Sequence, residues 1–176
     1  MSDQKEKWQG LLALSTAIMA VLAALTTLYM GKYSSRAIMS QGQESDQWAY
    51  YQAKSIKQHT FEISRNALDL QYRSQKALSP EMVADYQKTL AKYGEDIKRY
   101  DGEKKEIKDK AESIAKTKLK AQDMAGNFAY ALIFLQIALM LASISSLTKR
   151  KYLWYIALFC NLGWIFFFLD AWLLFY

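Results

Sequence analysis

Apolar positions crowd the two ends of the chain, and polar positions fill the middle with a helical repeat. Gly10 to Met30, "GLLALSTAIMAVLAALTTLYM", contains no charge, and neither does Phe128 to Leu147, "FAYALIFLQIALMLASISSL". A third run, "YLWYIALFCNLGWIFFFLDAWLLF", extends from Tyr152 to Phe175. Each meets the about 20 apolar residues that a helix needs to cross a hydrocarbon core. The first run is longer than the apolar stretch of a signal peptide, so it reads as an uncleaved anchor. The expectation is an all-α membrane protein: three transmembrane helices with a long antiparallel coiled-coil hairpin between the first and second.

The middle carries two apolar seams with alternating spacings of three and four. On the ascending arm Met39, Ala49, Ala53, Ile56, Thr60, Ile63, Ala67, Leu70 and Ala77 share one seam. On the descending arm Val83, Tyr86, Leu90, Tyr93, Ile97, Tyr100, Ile107, Ala111, Ile114, Ala121 and Ala125 share another. A 3.5-residue repeat kept over several heptads is the signature of packed, supercoiling helices. The break lies at residues 78–81, where Ser79 can cap and Pro80 suits the first helical position. Folding there sets Ser74 against Tyr86, Ala67 against Tyr93 and Thr60 against Tyr100, small residues facing large ones. A register one heptad away satisfies the same spacing. Each arm has about 43 residues and would project about 65 Å. Gly31 is the weak point between the first span and the ascending arm. The domains are then 1–31, the hairpin 32–127, and 128–176.

Aromatic residues at span ends form two belts. Trp8, Tyr152, Trp154 and Tyr155 belong to one membrane face; Tyr29, Tyr33, Tyr130, Trp172 and Tyr176 belong to the other. The short Lys149-Arg150-Lys151 link, with Lys5 and Lys7, places the amino terminus in the cytoplasm and the hairpin outside. Lys32, Arg36, Lys116, Lys118 and Lys120 argue the other way. A segment of that length, however, translocates largely regardless of charge.

Composition sharpens this only slightly. Hydrophobic residues are 52% of the 176-residue chain, yet mean hydropathy is slightly negative, as the segregation requires. The net charge of +6 comes from lysines interleaved with Glu and Asp. That reads as a solvated helix surface, with no nucleic acid as partner. Cys160 is alone in an apolar run and His59 has no companion ligand, so no metal site, disulfide framework or cofactor is expected. No phosphate-cradling glycine loop or nucleophile elbow occurs, so no catalytic residue and no small-molecule substrate is identified, and the chain reads as a non-enzyme.

Candidate contact residues lie off the seam. Phe61, Leu68 and Tyr72 make a second stripe, and Asp46, Gln47, Trp48, Tyr50 and Tyr51 belong to a dense polar-aromatic segment from Ser45 to His59. Aromatic stripes left exposed on a two-helix rod mark a partner surface, most simply another copy. The alternative for Ser45 to His59 is a helix–helix contact. Within the spans Gln136, Asn161 and Asp170 are the polar residues, and Asp170 falls near the interface, where its cost is small.

"LSTAIMAVLAAL" in the first span, "SDQWAYYQAKSIKQH" in the arm and "LTKRKYLWY" entering the third span resemble the bacterial domain-of-unknown-function family 4337. The resemblance covers nearly the whole chain and implies a small bacterial inner-membrane protein with no assigned activity. The leading functional expectation is a non-enzymatic membrane scaffold, held in lipid, whose hairpins form a homo-oligomer enclosing a chamber or pore. The alternatives are an Oxa1-type membrane-protein insertase, similar in its coiled coil between the first two spans, and a channel or transporter subunit.

Overall fold

The computed structural model describes residues 2–75 and 79–174, with side chains from Lys7 onward. Ala77 and Leu78 of the expected turn, Phe175, Tyr176 and the Lys5 side chain lie outside the described residues. The described chain is helical: α1 is Ser2–Ser74, α2 is Pro80–Thr148 and α3 is Lys151–Leu173. Each contains a stretch long and apolar enough to cross a membrane. α1 passes through Gly31 without a break, because one mid-helix glycine costs only about 1 kcal/mol against the bonds on either side.

The helix ends follow local chemistry. Pro80 opens α2, where its missing N–H costs nothing, and Ser79 Oγ accepts a bond from the Met82 N–H at 3.3 Å. Lys149 and Arg150 alone join α2 to α3, and Lys149 adopts the left-handed region with φ 54°. Ser145 Oγ donates to the Arg150 carbonyl at 2.9 Å, satisfying an acceptor at that turn. α3 ends in a left-handed Leu174 whose N–H bonds the Asp170 carbonyl at 2.7 Å.

The chain packs as two units. The first comprises residues 1–39 with 117–176, and the second comprises 40–116. In the first, α2 buries Ala121, Met124, Phe128, Ala131, Leu135, Ala138, Ala142 and Ser145, at spacings of three and four. Small residues dominate that seam, and they let backbones approach closely where lipid would offer no hydrophobic drive. Trp8, Leu12 and Met19 of α1 and Ala157 of α3 close one cluster with it. Tyr29, Tyr33, Phe128, Phe168 and Trp172 close another, with ring centroids 5.4–6.5 Å apart. Residues assigned to one aromatic belt thus meet at one end. At the other, the Lys151 ammonium lies 5.6 Å from the Trp8 ring centroid.

The second unit is an antiparallel helix pair. Phe61 meets Tyr93 and Tyr100, with centroids 5.8 and 5.7 Å away, and Tyr72 meets Tyr86 at 5.5 Å. The α2 face is the expected one, with Tyr100, Ile107 and Ala111 buried. The α1 face is not. Ile56, Ile63 and Leu70, expected in the seam, are 68%, 67% and 68% exposed, and Met39 is equally open. Tyr51, Lys54, Gln58, Phe61, Leu68 and Tyr72 are the residues that turn inward. Positions two apart on a helix differ by about 200°, so α1 carries two heptad stripes on opposite faces. The stripe bearing rings is the one that meets α2. Aromatic pairs add about 0.5–1.5 kcal/mol beyond their area, an advantage that alanines opposite tyrosines lack.

Gly163 of α3 faces Phe134 so closely that a Cβ there would stand 2.7 Å from the ring, which is itself stacked on Phe167. Gly163→Val is expected to cost about 1–3 kcal/mol through overpacking, read as a lowered melting temperature in mild detergent.

Candidate functional site

The segment from Ser45 to His59 divides by face. Gln47 and Tyr51 turn partly toward α2, while Asp46, Trp48 and Tyr50 point outward. Trp48 packs edge-on against Tyr51 at 5.7 Å, and the Lys104 ammonium lies 5.6 Å from the Tyr51 ring. Gln43, Asp46, Gln47, Lys110 and Ile114 border a cavity of about 380 Å³. His59 bonds Glu62 one turn along the same helix, at 2.6 Å, as an exposed surface pair. The helix–helix contact therefore accounts for Gln47 and Tyr51. Phe61, Leu68 and Tyr72, expected on an outer surface, are half-buried within the chain.

Lys54 and Glu103 form the charged centre of this pair, with side chains 17% and 34% exposed. The hydrogen bond from Lys54 holds the Glu103 carboxyl below its ordinary value, aided by the positive charge of Lys54 and Arg99. The bond to Glu103 likewise raises Lys54, against a desolvation that lowers it, and Tyr50 adds to the rise. The Lys54 ammonium also lies 5.3 Å from the ring centroids of both Tyr50 and Tyr100. Lys54 falls within the Ser45 to His59 segment, and no short-range pattern in the sequence ties it to Glu103. The signal was its heptad spacing from Tyr51, Gln58 and Phe61.

In the apolar segments the polar residues behave differently from one another. Gln136 is exposed among apolar neighbours. Asn161 donates to the Ala157 carbonyl of its own helix at 3.1 Å. Asp170, expected near an interface at small cost, is 2% exposed and accepts a bond from Asn127 Nδ2 at 2.7 Å. Burial with a specific donor makes it a structural tie between α2 and α3, since an unpaired buried carboxylate would be far costlier. Two further ties join α1 to α3: Trp154 Nε1 donates to Ser15 Oγ, and Trp164 Nε1 donates to Thr26 Oγ1, each at 3.1 Å. The sequence does not single out Ser15, Thr26 or Asn127; for the first two the available signal was that a buried indole N–H usually finds a partner. Among the described residues no group of three or more His, Cys, Asp or Glu side chains could hold a metal ion.

Comparison with known proteins adds one finding. A family model described as Domain of unknown function (DUF4337) matches residues 8–174. No curated protein and no solved structure matches the chain.

The Lys54–Glu103 pair gives the second unit a defined pH response. A depressed Glu103 stabilises above the ordinary carboxyl value of 4.5, and the contribution disappears as the pH falls through its lower folded value. A raised Lys54 stabilises below its ordinary 10.5, and that contribution disappears as the pH rises through its higher folded value. Glu103→Gln is expected to lower the melting temperature at pH 7. The gap to the unaltered protein closes in acid, as circular dichroism melts from pH 7 to pH 2 would show.

Proposed function

The chain belongs to the family of the Domain of unknown function (DUF4337), and from that premise we propose a non-enzymatic membrane scaffold that self-associates through its polar helix pair. Three apolar segments hold it in a bacterial inner membrane, and the polar unit forms a coiled-coil hairpin outside the lipid. The observation that carries this reading is the unpartnered heptad stripe of α1, with Ile56, Ile63 and Leu70 each about two-thirds exposed.

The stripe suits a second copy of itself. Two copies held in one bilayer run α1 in the same direction, so the pairing is parallel. Ala49, Ile56, Ile63 and Leu70 then make one set of layers, and Ala53, Thr60 and Ala67 make the smaller set between them. The flanking positions in that pairing are Gln52 with Lys57, His59 with Ser64, and Asn66 with Gln71. Of these Lys57 is the only Lys, Arg, Asp or Glu, although such residues crowd the rest of the helix. Uncharged flanks raise no like-charge barrier to self-pairing and select no oppositely charged partner. Burying one such aliphatic side chain is worth about 1.5–3 kcal/mol.

Disulfide trapping tests the pairing. In a Cys160→Ala background, Ile63→Cys should give a crosslinked dimer in membranes, and Ile56→Asp with Leu70→Asp should abolish it without loss of helix content. A chain that stays monomeric in mild detergent, with no crosslink at position 63, would refute self-association.

Orientation is tested separately. The basic Lys149–Lys151 link favours a cytoplasmic amino terminus, so Ser79→Cys should react with an impermeant thiol reagent from outside the inner membrane. Labelling only from the cytoplasmic side would reverse the orientation and favour an insertase-like arrangement.

A further inference from the structure

The first unit contains a cavity of about 370 Å³ whose lining joins cations to aromatic and apolar groups. Arg36 of α1 and Lys120 of α2 reach it from two helices, and Thr117 adds a hydroxyl. Ala121, Met124, a buried Tyr33 and the Trp172 indole complete its walls, and among the described residues no carboxylate lines it. Among residues 32–36 and 117–124 the charged groups are Lys32, Arg36, Lys118 and Lys120 against Asp123 alone. From α3 the nearest acid in sequence to Trp172 is Asp170, which is buried and holds Asn127.

Its position along the helices is as informative as its charge. The uncharged run of α1 ends at Met30, and that of α2 begins at Phe128. The cavity residues lie just beyond both limits, above the ring cluster of Tyr29, Phe128, Phe168 and Trp172. Indole and phenol side chains favour the headgroup layer of a bilayer, and basic pockets between helices at that depth suit phosphate headgroups. Arg36 supplies a planar fork for two phosphate oxygens and Lys120 a point charge. Met124 and Trp172 offer apolar surface to the glycerol and the first acyl carbons.

We propose that this cavity binds the phosphodiester headgroup of an anionic phospholipid, with Arg36 and Lys120 as the residues that recognise it. The inference rests on the membrane placement proposed above. That premise has its own check, since a chain released from membranes by alkaline carbonate would fail it whatever the lipid response.

Thermal unfolding of the full chain in mild detergent tests the site, with phosphatidylglycerol, phosphatidylcholine or inorganic phosphate added. Phosphatidylglycerol should raise the melting temperature by about 3 °C or more over phosphatidylcholine, the shift expected of a ligand near tenfold over its dissociation constant. Arg36→Gln with Lys120→Gln should lose most of that shift. Lys98→Gln with Lys105→Gln, which removes the same charge from exposed positions of the second unit, should keep it. If the Arg36 and Lys120 pair of changes impairs folding, Lys120→Gln alone should still halve the shift. An equal response to inorganic phosphate would make the ligand a free anion and overturn the lipid assignment. Equal responses to both lipids, or an undiminished response in the Arg36 and Lys120 variant, would overturn the site.

Discussion

The contact of Phe61 with Tyr93 and Tyr100, repeated by Tyr72 on Tyr86, decides which face of α1 meets α2. Two stripes of equal period run along that helix about half a turn apart, and only one can be covered by a single neighbour. Once the rings choose, the rest of the second unit follows. Lys54 is brought to Glu103, Tyr51 comes under Lys104, and the aliphatic residues Ile56, Ile63 and Leu70 are left facing out. The intramolecular seam is thus aromatic and charge-assisted, whereas the open face is aliphatic and nearly uncharged. Such a division keeps the two contacts chemically distinct, so that neither face competes well for the other's partner.

Much of the fold was legible because it depends on local rules. The absence of proline between Met1 and Ser79, the uncharged runs, and the Ser79-Pro80 pair suffice to place three helices and the break between the first two. The α2 seam was equally plain, since its tyrosines and isoleucines repeat without a rival stripe. The α1 seam was not legible. Weighing hydrophobicity favours Ile56, Ile63 and Leu70 over a stripe that includes Lys54 and Gln58. A long charged side chain can nevertheless lie inward when its stem packs and its head finds a carboxylate. The contest was between area and pairing, and period alone does not arbitrate it.

The same limit explains the polar residues of the first unit. Asp170 looked inexpensive because of its nearness to the end of the third apolar run. Its burial became visible only when Asn127, 43 residues away in sequence, was brought within hydrogen-bond distance. Tyr33 and Trp172 were expected as belt residues, and their rings do gather at one end of the unit. What spacing could not show is that Arg36 and Lys120 come to the same place from two different helices.

The two indole–hydroxyl bonds have a mechanical consequence. Dispersion between apolar helices is a sum of many weak, non-directional contacts, so it singles out one relative height less sharply than a hydrogen bond does. Trp154 on Ser15 and Trp164 on Thr26 are separated by about three turns on each helix, and both bonds are short-ranged and directional. A shift of α3 along α1 breaks both together and leaves two N–H groups stranded in an apolar setting. The pair acts as two pegs in one rail, fixing the height of α3 beside α1 while leaving the outward-facing surfaces free to vary.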